Sequence, residues 1–127
     1  MPELRPANPP TRGRLLRSFG YAIRGVRAML ALQANARIHA AATVVAVGLG
    51  FLFGLKLWEW CAVVGAIGLV WMAEGMNTAI EALTDLVSPG EHPLAGRAKD
   101  IAAGGVLCAA IAAAVIGLIV FLPHLVP

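Results

Sequence analysis

The chain has 127 residues, enough for one domain, and 59% of them are hydrophobic while 13% are charged. Ordinary globular chains are roughly 45–50% apolar. A mean hydropathy of +0.78 therefore excludes a typical water-soluble fold and indicates an integral membrane protein. The net charge of +3 does not indicate nucleic-acid binding, because seven of the ten Lys and Arg residues precede residue 40 and mark membrane orientation and lipid-surface contact.

The N-terminal region divides into a polar tail and a basic helix. Residues 1–13 contain four prolines and few apolar side chains, which predicts a disordered tail. Over residues 14–34, apolar side chains recur at spacings of three and four, with arginines between them. This pattern predicts an amphipathic helix that lies flat on the membrane surface, with its arginines toward phosphate groups.

Three apolar stretches follow, each read as a transmembrane helix. The predicted spans are 38–57, 60–87 and 94–122. A tight turn at 56–60 carries Trp58 and Trp60, which suit the headgroup level, and the SPG at 88–90 ends the second span. The arginine distribution predicts that the N-terminus and the 85–100 hairpin are cytoplasmic.

The second span is the unusual one. Its uncharged part, Cys61 to Ala73, is too short to cross about 30 Å at about 1.5 Å per residue, so the helix carries polar side chains into the membrane. Four of them are spaced so that they share one helical face: Glu74, Asn77, Glu81 and Asp85. Ionisable groups in a bilayer-spanning helix cost about 2.5–3.5 kcal/mol each on insertion scales, and they usually mark an ion path or a reacting centre.

The polar face supplies oxygen ligands and a possible base, while Arg97 and Lys99 supply cations beyond the turn. Mg²⁺ is typically held by one or two carboxylates together with substrate phosphates, so phosphoryl transfer is one use of this set. A small oligomeric transporter or channel with a carboxylate relay would use the same residues, and a noncatalytic membrane scaffold is a third alternative. The absence of polar groups from Cys61 to Val70 favours a one-sided site over a conduction path. No Walker or protein-kinase motif occurs.

The string AEGMNTAIEALTD, followed after a short turn by HPLAGRAKDIAAGGVL, resembles the signature of the prokaryotic diacylglycerol kinase family, which includes the undecaprenol kinases. The resemblance runs from about residue 14 to residue 122. It implies homotrimers of the bacterial cytoplasmic membrane, with a surface helix and three spans per chain and with active sites shared between subunits. It also implies transfer of the γ-phosphoryl group of ATP, with Mg²⁺, to the hydroxyl of undecaprenol or diacylglycerol. The HPLA hairpin is more similar to the undecaprenol kinase branch.

The resemblance also implies roles for individual residues. Glu74 would be the general base toward the lipid hydroxyl, and Glu81 would bind the metal that bridges the ATP phosphates. The residues expected to bind nucleotide or support its site are Arg14, Tyr21, Asn77, Asp85, His92, Lys99 and Asp100. Gln33 stands where the family has a second metal-binding glutamate. Its amide oxygen can ligate a cation without adding charge, which predicts weaker metal binding and leaves a catalytically impaired homologue as an alternative.

Some of these residues have structural alternatives. The alternative for Asn77 is a hydrogen bond across helices, and the alternative for Lys99 with Asp100 is a helix-start pair. Two histidines are expected to be structural. We expect His39 to be an interfacial residue and His124 an exposed tail residue.

Overall fold

The computed structural model describes residues 11–127 and contains four α-helices in that part of the chain. They are α1 (Thr11–Leu32), α2 (Ala34–Phe53), α3 (Leu57–Val87) and α4 (Pro93–Leu125). Helices α2, α3 and α4 are each long and apolar enough to cross a membrane, which confirms the prediction of an all-α, multi-pass membrane protein. Most of the predicted 1–13 tail lies outside the described residues, and helix α1 already includes residues 11–13.

Helix α2 begins and ends four residues earlier than the predicted span 38–57. It ends because Gly54 adopts a left-handed backbone conformation, with φ at 62°. The N–H groups of Gly54 and Leu55 then donate to carbonyl oxygens of the last turn, at 3.3 and 3.1 Å. Gly54 is thus the residue that stops α2.

The predicted 56–60 turn is shorter than expected, because α3 already begins at Leu57. The Glu59 carboxylate accepts a hydrogen bond from the Lys56 backbone N–H at 2.7 Å. A carboxylate in the first turn satisfies a free backbone donor and suits the positive end of the helix dipole. This interaction explains why the helix starts before Trp60.

Gly50 lies where α2 meets the first turn of α3. A Cβ atom at this position would come within 2.6 Å of Cη2 of Trp60 and 3.1 Å of Cδ1 of Leu55. The rings of Phe51 and Trp60 are tilted against each other with centroids 4.9 Å apart. The missing side chain of Gly50 therefore allows Trp60 to pack on α2.

We expect Gly50→Ala to lower the free energy of unfolding by about 1–3 kcal/mol, because the added methyl group overlaps the Trp60 ring. Gly48→Ala is the matched control on the same helix, since a Cβ at Gly48 meets nothing within 4 Å. The control should be neutral or slightly stabilising. Thermal unfolding in detergent measures both, and equal midpoints for the two variants would contradict the packing role of Gly50.

The three long helices run antiparallel in chain order. The most extensive interface joins α3 to α4, while α2 packs on α3, and α1 contacts both α2 and α3. At one end of the α3–α4 hairpin Lys99 forms an ion pair with Asp85, and at the other end His124 lies 2.9 Å from Glu59. Many large apolar side chains remain exposed, as expected where lipid is the surrounding solvent.

The prediction that His124 is an exposed tail residue is wrong. Helix α4 continues to Leu125, and Nε2 of His124 contacts Oε1 of the buried Glu59 at 2.9 Å. The His124 ring also stacks on Phe53, with centroids 5.8 Å apart and an interplanar angle of 13°. The helix persists past Pro123 because its last turn is tied to the start of α3 and the end of α2.

Candidate active site

The polar face of α3 is graded from buried to exposed. Glu74 is 1% exposed and Asn77 is 8% exposed, Glu81 is half-buried, and Asp85 is exposed near the end of the helix. The predicted spacing therefore holds, and it places the most deeply buried carboxylate near the middle of a membrane span. A buried charge without a partner is costly, so the surroundings of Glu74 and Glu81 determine what they can do.

The carboxylate of Glu81 lies between two amides. Nε2 of Gln33 donates to Oε2 at 2.8 Å, and Nδ2 of Asn77 donates to Oε1 at 3.2 Å. The structure thus brings together the two residues predicted to bind metal and one of those predicted to orient the nucleotide. Gln33 is far from Glu81 in sequence, so only the fold joins them.

The junction of α1 and α2 positions Gln33. Gln33 lies between the helices in an extended conformation, and its N–H donates to the Met29 carbonyl at 2.9 Å. The Arg37 guanidinium donates to the carbonyl oxygens of Leu30 and Ala31, at 2.8 and 2.7 Å. This cation satisfies the free carbonyls at the end of α1 and holds the bend that points Gln33 at α3.

The residue types around Glu81 fit a hard cation. Oδ1 of Asn77 is buried and has no hydrogen-bond partner among the described residues. A buried polar atom left unpaired costs about 1–3 kcal/mol, so it indicates a missing ligand or partner. In the structure both amides turn their nitrogens to Glu81, so a bound Mg²⁺ would require them to turn over and present their oxygens beside the carboxylate.

A purely acidic metal cluster is not formed within residues 11–127. No three His, Cys, Asp or Glu side chains in that range come together as a metal-binding group. A cation at Glu81 would therefore depend on amide oxygens and on a phosphate-bearing substrate for most of its ligands.

Glu74 lies against His39 of α2. Nε2 of His39 is 3.1 Å from Oε1 of Glu74, close enough for an ion pair. The two groups are not aligned as a hydrogen bond, so Oε1 has no hydrogen-bond partner among the described residues. His39 lies more than one turn inside α2, which begins at Ala34, so the structure adds a contact with α3 to the interfacial residue that the sequence predicts.

An apolar cavity of about 280 Å³ lies between α2, α3 and α4 and reaches His39 at one end. Its walls are mostly alanine, glycine and branched aliphatic side chains. These include Ala42, Ala66, Val70, Ala113 and Gly117. A small apolar space that approaches the buried carboxylate suits part of a lipid rather than a water-soluble ligand.

The other predicted polar residues gather at the α3–α4 turn. Asp85, His92 and Lys99 line an open pocket of about 690 Å³. Lys99 pairs with Asp85, and Nδ1 of His92 accepts the N–H of Leu94 at 3.1 Å, which caps α4. Asp100 is exposed on the next position of α4.

Arg14 and Tyr21 are exposed on α1. The Arg24 guanidinium lies 4.7 Å from the centre of the Tyr21 ring. In the part of the chain that the structure covers, no hydrogen bond or ion pair joins Arg14 or Tyr21 to the polar face of α3. One chain therefore joins Gln33, Asn77 and Glu81, and separately Asp85 and Lys99, but it does not bring Arg14 and Tyr21 to either group.

Sequence reasoning missed two contacts of the site. The contact of His39 with Glu74 joins two helices, and the periodicity of either helix alone does not indicate it. The bond from Trp71 Nε1 to Oγ1 of Thr43, at 3.0 Å, had no signal in the sequence, because each residue is common in membrane helices for other reasons.

Fold and site together define a multi-pass helical membrane protein. It has a buried carboxylate near an apolar cavity, and two turns along the same helix it has a cluster formed by Glu81, Gln33 and Asn77. The model of the family described as prokaryotic diacylglycerol kinase matches residues 20–121. The chain belongs to this family, which confirms the resemblance predicted from the sequence, and it is a lipid kinase.

Curated relatives agree with this assignment. An undecaprenol kinase of Bacillus subtilis is 41% identical over 112 residues, which cover 88% of this chain and 91% of the relative. A diacylglycerol kinase of Synechocystis is 42% identical over 112 residues, covering 87% of this chain and 64% of that longer protein. A diacylglycerol kinase of Escherichia coli K12 is 31% identical over 111 residues, covering 87% and 91% of the two chains.

Proposed function

We propose that this lipid kinase transfers the γ-phosphoryl group of Mg-ATP to the hydroxyl of undecaprenol or diacylglycerol. The observation that carries the proposal is Glu74, a carboxylate 1% exposed inside a membrane span and two turns from the Glu81 cluster. Undecaprenol is the first substrate to test, supported by the HPLA hairpin and the Bacillus subtilis relative. The Synechocystis relative is equally similar, so diacylglycerol is the second.

In the proposed reaction the oxygen of the lipid hydroxyl attacks the γ-phosphorus, and Glu74 accepts the proton of that hydroxyl. The new O–P bond forms as the bond from phosphorus to the ADP oxygen breaks, and ADP leaves. Glu81 and Gln33 would hold Mg²⁺, with Asn77 orienting metal or nucleotide. The cation would neutralise phosphate charge.

The α3–α4 turn is the proposed nucleotide end of the site. Lys99 would bind phosphate, and Asp85 and Asp100 would hold it in place. His92 would lie near the adenine, and its position in the 690 Å³ pocket with Lys99 supports this assignment. ATP is cytoplasmic, so this end of the molecule, together with the N-terminus, would face the cytoplasm of a bacterium.

We propose further that the chain acts as a homotrimer with shared active sites. One chain places a single carboxylate beside Gln33 and Asn77, and Arg14 and Tyr21 stand apart from that cluster, so a neighbouring chain would bring them to it. The three exposed arginines of α1 that follow Arg14, at 17, 24 and 27, support an amphipathic helix on the lipid headgroups.

A carboxylate relay for ion conduction is the weaker alternative. A polar pair does exist at the far end of the bundle, Glu59 with His124. Between Glu59 and Glu74, however, the buried side chains of α3 are apolar: Val63, Ala66 and Val70. Along this helix the two polar groups are therefore separated, which disfavours a continuous pathway.

The test is a phosphorylation assay on the purified protein in lipid nanodiscs, with Mg²⁺-ATP and either undecaprenol or diacylglycerol. We expect a phosphorylated product from at least one of them, and none when Mg²⁺ is removed with EDTA. A folded protein that phosphorylates neither lipid would contradict the proposal and favour the impaired-homologue alternative raised by Gln33.

A further inference from the structure

His39 has no part in the reaction as proposed so far, yet it is the side chain that meets the buried base. Its Nε2 atom lies 3.1 Å from Oε1 of Glu74, and its ring is half-buried at the end of the apolar cavity. We propose that His39 is a positioning residue that fixes the orientation of the Glu74 carboxylate. This inference rests on the proposed function.

The physical need comes from the burial of Glu74. A general base has to lie within hydrogen-bond reach of the proton that it accepts, so the direction of its carboxylate oxygens has to be fixed. Apolar neighbours cannot fix that direction, whereas the His39 imidazole contacts Oε1. Because Oε1 has no other hydrogen-bond partner among the described residues, a slight turn of the His39 ring would complete a hydrogen bond there.

The other charged groups near this position are engaged elsewhere. Arg37 precedes His39 by two residues, and its guanidinium is bound to the carbonyl oxygens that end α1. From α4, the residues that line the cavity are uncharged, among them Ala110 and Ala113. On α3, Glu81 is held by Gln33 and Asn77. Among the described residues, His39 is therefore the polar side chain that the fold brings to the Glu74 carboxylate.

The fold also holds His39 in register with Glu74. One turn along α2, Oγ1 of Thr43 donates to the His39 carbonyl at 2.7 Å and accepts from Nε1 of Trp71 at 3.0 Å. This hydrogen bond joins α2 to α3 directly beside the His39–Glu74 pair. Packing of the two helices thus sets the distance between imidazole and carboxylate.

The pairing leaves the chemical balance of the reaction unchanged. His39 neither gains nor loses a proton in the step, while the hydroxyl proton moves to Glu74, the O–P bond forms and ADP departs. The proton on Glu74 returns to solvent after the lipid phosphate leaves. No further reactant is needed, and the effect of His39 acts entirely through Glu74.

The first experiment uses His39→Ala in nanodiscs with the better lipid substrate. We expect kcat to fall about 10- to 100-fold, while KM for Mg-ATP stays within about twofold. A loss of this size is typical when a catalytic group is misplaced by about 1 Å. Imidazole added to the assay should restore part of the lost kcat, because the ring site opens into the cavity. Thr43→Val is the matched control: it removes the neighbouring hydrogen bond to Trp71 and should show no imidazole response.

A second variant covers the case in which His39→Ala does not fold. His39→Gln keeps a hydrogen-bond donor but lacks the rigid ring that holds it against Oε1 of Glu74, and it should also lose kcat with KM unchanged. Wild-type turnover in either folded variant, or a loss that imidazole does not relieve in His39→Ala, would overturn the inference while leaving the kinase proposal intact. A wild-type protein that phosphorylates neither lipid would overturn both.

Discussion

Glu74→Gln should abolish lipid phosphorylation almost completely. The amide has nearly the same shape as the carboxylate but cannot accept the proton of the lipid hydroxyl, and loss of a general base costs about 10²- to 10⁴-fold in turnover. The variant should still bind Mg-ATP, because Glu74 lies two turns from the Glu81 cluster. Turnover is measured with both candidate lipids, and nucleotide binding is measured separately by calorimetry.

Glu59→Gln is the matched control for Glu74→Gln. Both glutamates are buried on α3, at 5% and 1% exposure, and both contact a histidine. Only Glu74 lies near the Glu81 cluster, whereas Glu59 caps the first turn at the opposite end of the helix. The control should therefore lose stability rather than turnover. Equal turnover in wild type and Glu74→Gln would remove Glu74 from the role of base.

Glu81→Gln should produce the second large loss, through the metal. The substitution removes the one carboxylate that Gln33 and Asn77 surround, so the Mg²⁺ concentration needed for half-maximal activity should rise about 10- to 100-fold. Gln33→Glu should lower the Mg²⁺ concentration needed for half-maximal activity, because a second carboxylate beside Glu81 adds negative charge to the cation site.

Mg²⁺ titrations of activity at saturating ATP measure both effects of the metal-site variants. Glu59→Gln again serves as control and should leave the Mg²⁺ dependence unchanged. An unaltered Mg²⁺ requirement in Gln33→Glu would mean that position 33 does not reach the metal, and the same result in Glu81→Gln would place the metal elsewhere.

Much of the architecture follows from local sequence patterns. Apolar length decides that three helices cross the membrane, and the helical period decides that Glu74 and Glu81 share one face of α3. The helix limits are less predictable, because they depend on single interactions. Gly54 ends α2 through its left-handed conformation, and Glu59 starts α3 early through its bond to the Lys56 N–H.

The candidate site also combines features that follow from sequence patterns with contacts that depend on helix packing. From the sequence alone, the composition identified a membrane protein, the spacing identified the polar face, and the quoted motifs identified the kinase family. Only the tertiary structure decided that Gln33 meets Glu81, that His39 meets Glu74 and that His124 meets Glu59. Periodicity describes which residues share a face of one helix, whereas these pairs join residues far apart in the chain. Their contacts depend on how neighbouring helices pack, and that register is set by interactions such as the fit of Trp60 on Gly50.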